Sequence, residues 1–320
     1  MKPLRVALVH RGQEYRYTRV DGQFAYEVPE FIWEHVEVHK SVQNLDINKW
    51  QGKYDLVWLD PGKYSFLNIL APKASAHKVK SIYWSLYPTL TQGHLHKEQA
   101  RAKHNANLVL LDHDNVKRWD GLGVPVRRLA YSVNERYYYD RGLERDIDVN
   151  FACYREYSYE RQALDAWLRG YCERRGWTYE SGSGYAGDEY AVAIARSKVM
   201  VHILRTPQTR PPRMFDTAAS GTAMLSNTMP VVSGEAWIPH KHYWIFNEPH
   251  SQACANERHP PQMIMNDAVC AEIIAGLDYL LTGDNWRGVA ETAKEYVLSC
   301  HTWQHRATEL RQIVHEEFGL

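Results

Sequence analysis

The stretch "KVMVHILRTPQTRPPRMFDTAASGTAMLSN", Lys198 to Asn227, decides how this chain is read. "KVMVHIL" is an apolar, β-branched run of strand length, and "TAMLSN" after Gly221 is another. Between them Pro211 and Pro212 suit the first turn of a helix, whose leading N–H groups have no intrahelical partner. Gly221 suits its end, where a left-handed residue is wanted. Strand, helix and strand in so short a span predict one step of a parallel sheet covered by helices.

The same alternation runs outward. "LRVALVH" (4–10), "YDLVWLD" (54–60), "KSIYWSLYP" (80–88) and "ANLVLLD" (106–112) are short apolar runs separated by polar segments of helix length. It restarts with "IDVNFACY" (147–154) and a helix in "YERQALDAWLRGYCERRG" that Gly176 stops. The expected division is 1–145, 146–300 and a C-terminal helix at 301–320, with the tyrosine-rich segment before residue 146 as linker. Asp284 is expected to cap one late helix and Thr302 to open the last. Both halves are thus α/β layers, whose ligands sit beyond the carboxyl ends of strands.

Charge excludes a global attraction to polyanions, because 38 Lys and Arg balance 38 Asp and Glu. The 5 cysteines never fall as C-x-x-C, which argues against a disulfide framework and for a reducing compartment. No apolar run is long enough for a membrane span or signal peptide, so the expected location is cytoplasmic, the host cytoplasm if phage-encoded.

Three motifs compete for the chemistry. "GSGYAG" (Gly182, Gly184, Gly187) matches the dinucleotide pattern and offers an NADP-dependent oxidoreductase, but Asp188 and Glu189 follow where a pyrophosphate would sit. "DHD" (Asp112, His113, Asp114) offers two oxygen ligands to a divalent metal, and equally the start of a helix. In the stretch quoted first, Arg213 and Asp216 share a helix face, and small residues from Ala218 to Thr222 allow a close approach. Arginine matches phosphate oxygens and a carboxylate accepts two ribose hydroxyls. The alternative there is a local Arg–Asp salt bridge in an ordinary buried helix.

"RMFDTAASGTAML" (213–225) resembles the R-x-F-E-x-x-A-x-G-x-x-x-L signature of group 1 glycosyltransferases, in the branch that includes spore-maturation and phage-associated proteins. "DVNFACY" with "YERQALDAWL", "ARSKVMVHI", "HTWQHRATELRQIV" and "GLGVPVRRLAYSVN" resemble further segments of that branch in the same order. The resemblance implies a GT-B fold: two Rossmann-like α/β/α domains facing a cleft, the C-terminal helix packing back towards the first. It implies a hexosyl- or pentosyltransferase that uses a nucleoside-diphosphate sugar, UDP-sugar favoured, as co-substrate, with no tightly bound cofactor and no metal. The donor residues it implies are Asp216 on the ribose, and Arg213, Arg210 and Arg161 towards the diphosphate. Gly221 and Thr222 stand beside them, and Gln208 replaces a second glutamate of related retaining enzymes. A module that binds sugar nucleotide without turnover is the remaining alternative.

The first domain is left for the acceptor. Arg11, Tyr15 and Arg16 interleave charge with aromatic rings, which suits a base beside a phosphate and equally a sugar ring. Asp60 and His10 end strands and are the candidate general bases. A hydroxymethylated base in phage-type DNA, a glycan and a small molecule are the acceptors left open. The pairs His94/His96 and His240/His242 have metal-like spacing but no further ligands nearby, and read as solvent-facing or hydrogen-bonded.

Overall fold

The computed structural model describes residues 2–10, 28–37, 45–59, 74–85, 92–112, 115–152, 159–182, 188–203, 212–227, 235–246 and 267–320. The chain forms two compact units, Met1–Tyr131 with Trp303–Leu320, and Ser132–Thr302. Residue 145, the expected boundary, therefore lies inside the second unit, because the segment taken for a linker is tied down there by Asp140 and Arg145.

The first unit holds β1 (Leu4–His10), β2 (Phe31–Glu37), β3 (Leu56–Leu59), β4 (Lys80–Ser85), β5 (Leu108–Leu111) and β6 (Val126–Arg128), with helix α1 (Gln92–Asn105) between β4 and β5. The strands are all parallel in the order β2-β1-β3-β4-β5-β6. The strand β2 escapes sequence reading because it is a half-polar edge: Phe31 is buried while Ile32 is 55% exposed and Glu34 pairs in solvent with Lys53. Tryptophan builds this core. Trp33 meets Trp58 edge-on at 5.8 Å, and Trp58 meets Trp84 at 5.7 Å. Edge-to-face rings pack without voids and add attraction beyond their area.

The second unit holds β7 (Ile147–Asn150), helix α2 (Tyr159–Arg175), β8 (Tyr179–Glu180), α3 (Asp188–Ala195), β9 (Ser197–His202), α4 (Arg213–Ala219), β10 (Ala223–Asn227), β11 (Trp244–Phe246), α5 (Asp267–Leu281) and α6 (Trp286–Cys300). Its sheet is also all parallel, in the order β11-β10-β9-β7-β8. Gly176 and Gly221 end α2 and α4 in the left-handed region, as the glycine reading expects. Asp284 does not cap α6. Its own φ is +62°, and its carboxylate turns to the Trp286 indole N–H and to Arg287.

The last helix, α7 (Trp303–Phe318), belongs to the first unit. Trp303 lies 6.3 Å from Trp33, Gln304 donates to Glu30, and Arg127 pairs with Glu317.

Close packing sets the second unit's tolerance. A Cβ on Gly276 of α5 would lie 2.7 Å from Leu225 Cδ1 and 2.7 Å from Trp244 Cδ1. The Leu225 tip can rotate, but Trp244 is held by its stack on Tyr279 at 4.0 Å. Overpacking of about 1–3 kcal/mol should exceed the roughly 1 kcal/mol of helix propensity that alanine gains. Gly276→Ala is expected to lower the thermal midpoint by a few degrees, and an unchanged midpoint would show that Trp244 yields.

Candidate functional site

Each sheet reverses its winding once, between β1 and β3 in the first unit and between β7 and β9 in the second. The carboxyl ends of those strands are where an open α/β sheet takes its ligand. His10 is the last residue of β1, and Asp60 directly follows β3, outside the described residues. Arg11, Tyr15, Arg16, Gln208, Arg210, His113, Asp114, Gly184 and Gly187 also lie outside them.

In the second unit the centre is α4, between β9 and β10. Asp216 is 5% exposed, and its Oδ1 meets no hydrogen-bond partner among the described residues. Burial pushes its carboxyl well above the usual carboxylate range. The local salt bridge that three-residue spacing would favour is not made. Arg213 instead donates through Nη2 to the Ile203 carbonyl at 2.8 Å, tying α4 to the chain just beyond β9. Tyr138 and Tyr190 pack near the carboxyl, 6.0 Å apart and edge-on, against Ala152, Ile194 and Met200. Burial first, and then the charge of Asp216, push both phenols above their ordinary range.

Gly221 and Thr222, expected to allow a nucleotide's close approach, are met by side chains of their own unit. Arg145 Nη1 donates to Thr222 Oγ1 at 2.7 Å and to the Ser197 carbonyl at 2.8 Å. Its Nη2 donates to the Ser220 carbonyl at 2.7 Å and to Asp140 at 3.2 Å. A Cβ on Gly221 would stand 3.1 Å from both Arg145 and Asp140. The bare glycine thus admits a guanidinium that caps the carbonyl end of α4. No sequence signal marked Arg145, which sits in the charged run "RGLERD".

Beneath α4, Phe215 packs 5.3 Å from His301 and 5.6 Å from Trp237. His301 Nε2 lies 2.9 Å from the Tyr296 hydroxyl, which also accepts from the Ala236 N–H. The histidine of "HTW" therefore supports the helix rather than carrying chemistry. His242 is buried, stacked on Tyr296 at 4.7 Å and accepting from the Ile238 N–H through Nδ1, so it too is a packing residue. His240 lies edge-on to Trp244. Arg161 is 7% exposed in the first turn of α2, and Asp112 is 2% exposed beyond β5. Asp188 and Glu189 open α3, Asp188 facing Arg141 at 3.6 Å. Among the described residues no group of three His, Cys, Asp or Glu side chains could hold a metal ion, and no helix is long and apolar enough to cross a membrane.

The family model described as glycosyl transferase-like matches residues 144–312, more than half of the 320. The chain belongs to the glycosyl transferase-like family. Solved structures place this glycosyltransferase in the GT-B fold, with its two parallel Rossmann-like sheets. It is similar to a glycosyltransferase from Rickettsia africae, with TM-score 0.62, 10% identity and 99% of each chain covered. The Anabaena protein HepE, in complex with UDP and glucose, gives 0.61 and 10%, over 98% of this chain and 100% of that one. Sucrose-phosphate synthase from Thermosynechococcus elongatus gives 0.59 and 12%, over 99% of each. At such identity the likeness is one of fold. No curated protein sequence matches the chain significantly.

Proposed function

We propose that this glycosyltransferase moves a sugar from a UDP-sugar to an acceptor hydroxyl, and that Asp216 holds the nucleoside's hydroxyls. One observation carries the reading: among the described residues, Asp216 is buried, unpaired with Arg213 and left with an oxygen that no group satisfies. An unsatisfied buried polar group costs about 1–3 kcal/mol, which a folded protein sustains where a ligand completes it. Hydroxyl donors are the complement of such a carboxyl. Arg213, anchored at Ile203, and the partly buried Arg161 are the phosphate partners of this reading, with Arg210 and Gln208 beyond the described residues. UDP is favoured because HepE is seen with UDP and glucose on the same fold.

The acceptor approaches the first unit at the ends of β1 and β3, where His10 and Asp60 are the candidate bases and Arg11, Tyr15 and Arg16 follow. A hydroxymethylated base of phage-type DNA, a glycan and a small molecule are the acceptor classes of this reading. Transfer of labelled sugar to hydroxymethylated DNA, to oligosaccharide or to neither separates them.

The deciding experiment is thermal stabilisation by UDP, GDP, TDP and NADPH, with Asp216→Ala alongside. At 100 times its dissociation constant a ligand adds about 2.7 kcal/mol, a shift of several degrees. UDP is expected to stabilise the native protein and not the variant. Equal stabilisation of both would remove Asp216 from the site, and stabilisation by NADPH alone would return the function to the glycine loop.

A further inference from the structure

His202 ends β9 at the second unit's switch point and is 1% exposed. Its Nε2 lies 3.2 Å from Thr217 Oγ1. The Thr217 hydroxyl gives its single proton to the Arg213 carbonyl at 2.6 Å. The imidazole must then supply the hydrogen between the two side chains, so Nε2 carries it and Nδ1 is the bare acceptor. That Nδ1 is buried and has no hydrogen-bond partner among the described residues. Ser226 stands opposite His202 in the parallel register, and its buried Oγ also has none. Burial and the positive charge of Arg213 hold the ring well below its usual range, so it stays neutral and the lone pair persists.

Most buried histidine nitrogens have a hydrogen-bond partner. His202 has one nitrogen fixed by α4 and the other left open, beside the helix that carries Asp216. We propose that His202 Nδ1 is a further contact of the donor site, accepting a hydrogen bond from a hydroxyl of the sugar nucleotide, with Ser226 Oγ as its neighbour. This rests on the UDP-sugar reading and deepens it. The unpartnered Nδ1 of His202 accepts a hydrogen bond, and the Asp216 carboxyl accepts them once hydroxyl donors favour its ionised form, which together select a polyhydroxylated ligand.

The test uses the full chain with 15N-labelled histidine, UDP and UDP-glucose as probes, and the variants His202→Phe, His202→Asn and Asp216→Ala. The signal absent from His202→Phe assigns His202. In the native protein its Nδ1 should resonate as an unprotonated ring nitrogen and move upfield when a probe is added, which packing alone would not produce. Response to UDP places the hydroxyl on the nucleoside; response only to UDP-glucose places it on the hexose. His202→Phe should weaken binding about tenfold, and His202→Asn, which returns an oxygen near the Nδ1 position, should recover part of the loss. If His202→Phe does not fold, the native Nδ1 shift, assigned from His202→Asn, decides alone. Unchanged binding by His202→Phe with an unmoved Nδ1 overturns the proposal. If Asp216→Ala loses binding in that case, the donor site stands without His202. If it too binds normally, or the native protein binds neither probe, both readings fall.

Discussion

Replacing Arg145 with methionine is expected to lower the stability of the second unit by about 3–5 kcal/mol, the usual result of removing one partner from a buried ionic group. Four of the guanidinium's N–H groups are engaged, with Ser197 O, Thr222 Oγ1, Ser220 O and Asp140, and the side chain is 10% exposed. Methionine fills the volume beside Trp286 but leaves two buried carbonyls without their donor, while the half-exposed Asp140 keeps Lys294. Arg145→Lys should lose somewhat less, because one ammonium cannot span the fork. The end of α4 and the start of β9 would both loosen, since Ser220 and Ser197 belong to those segments. A 171-residue unit loses about 2–4 °C of midpoint per kcal/mol, so calorimetry should show a fall of roughly 10 °C. A midpoint within about 2 °C of the native one would mean that water replaces the guanidinium at little cost.

Arg145 also shows where sequence reading stops. The strands with uninterrupted apolar runs, such as β1 and β9, were legible because a strand buried on both faces must be apolar throughout. The edges β2 and β11 were not, since one alternates with charge and the other has only three residues. Asp216 was legible from its place in the signature-like helix, whereas its missing ion pair was not, because three-residue spacing allows Arg213 either course. His202 carried a faint signal, a polar residue closing an apolar strand. Arg145 carried none: its role depends on carbonyls 52 and 75 residues away, brought to it by the fold. Trp58, Trp84, Trp119 and Trp303 are all wholly buried, so these rings serve the core.

Asp216→Asn is expected to stabilise the protein increasingly as pH rises, even as it weakens the proposed donor site. The native carboxyl is held well above its usual range by burial, and no cation offsets that cost. In the unfolded chain the same group ionises near pH 4. Below that value both states are protonated and Asp216 adds no pH dependence. Above it the unfolded state has released its proton while the folded state keeps one, so unfolding gains about 1.4 kcal/mol for each pH unit until the raised native value is passed. Asparagine has nearly the same shape and does not titrate, so the variant escapes this loss. Thermal midpoints of the two proteins should therefore diverge from about pH 5 upward, until the raised native value is passed. Saturating UDP should narrow the gap, because hydroxyl donors favour the ionised carboxyl and only the native protein binds well. Parallel midpoints across that range would show Asp216 ionised in the fold, with a cation or donor satisfying it, and the argument from its unpaired oxygen would fail.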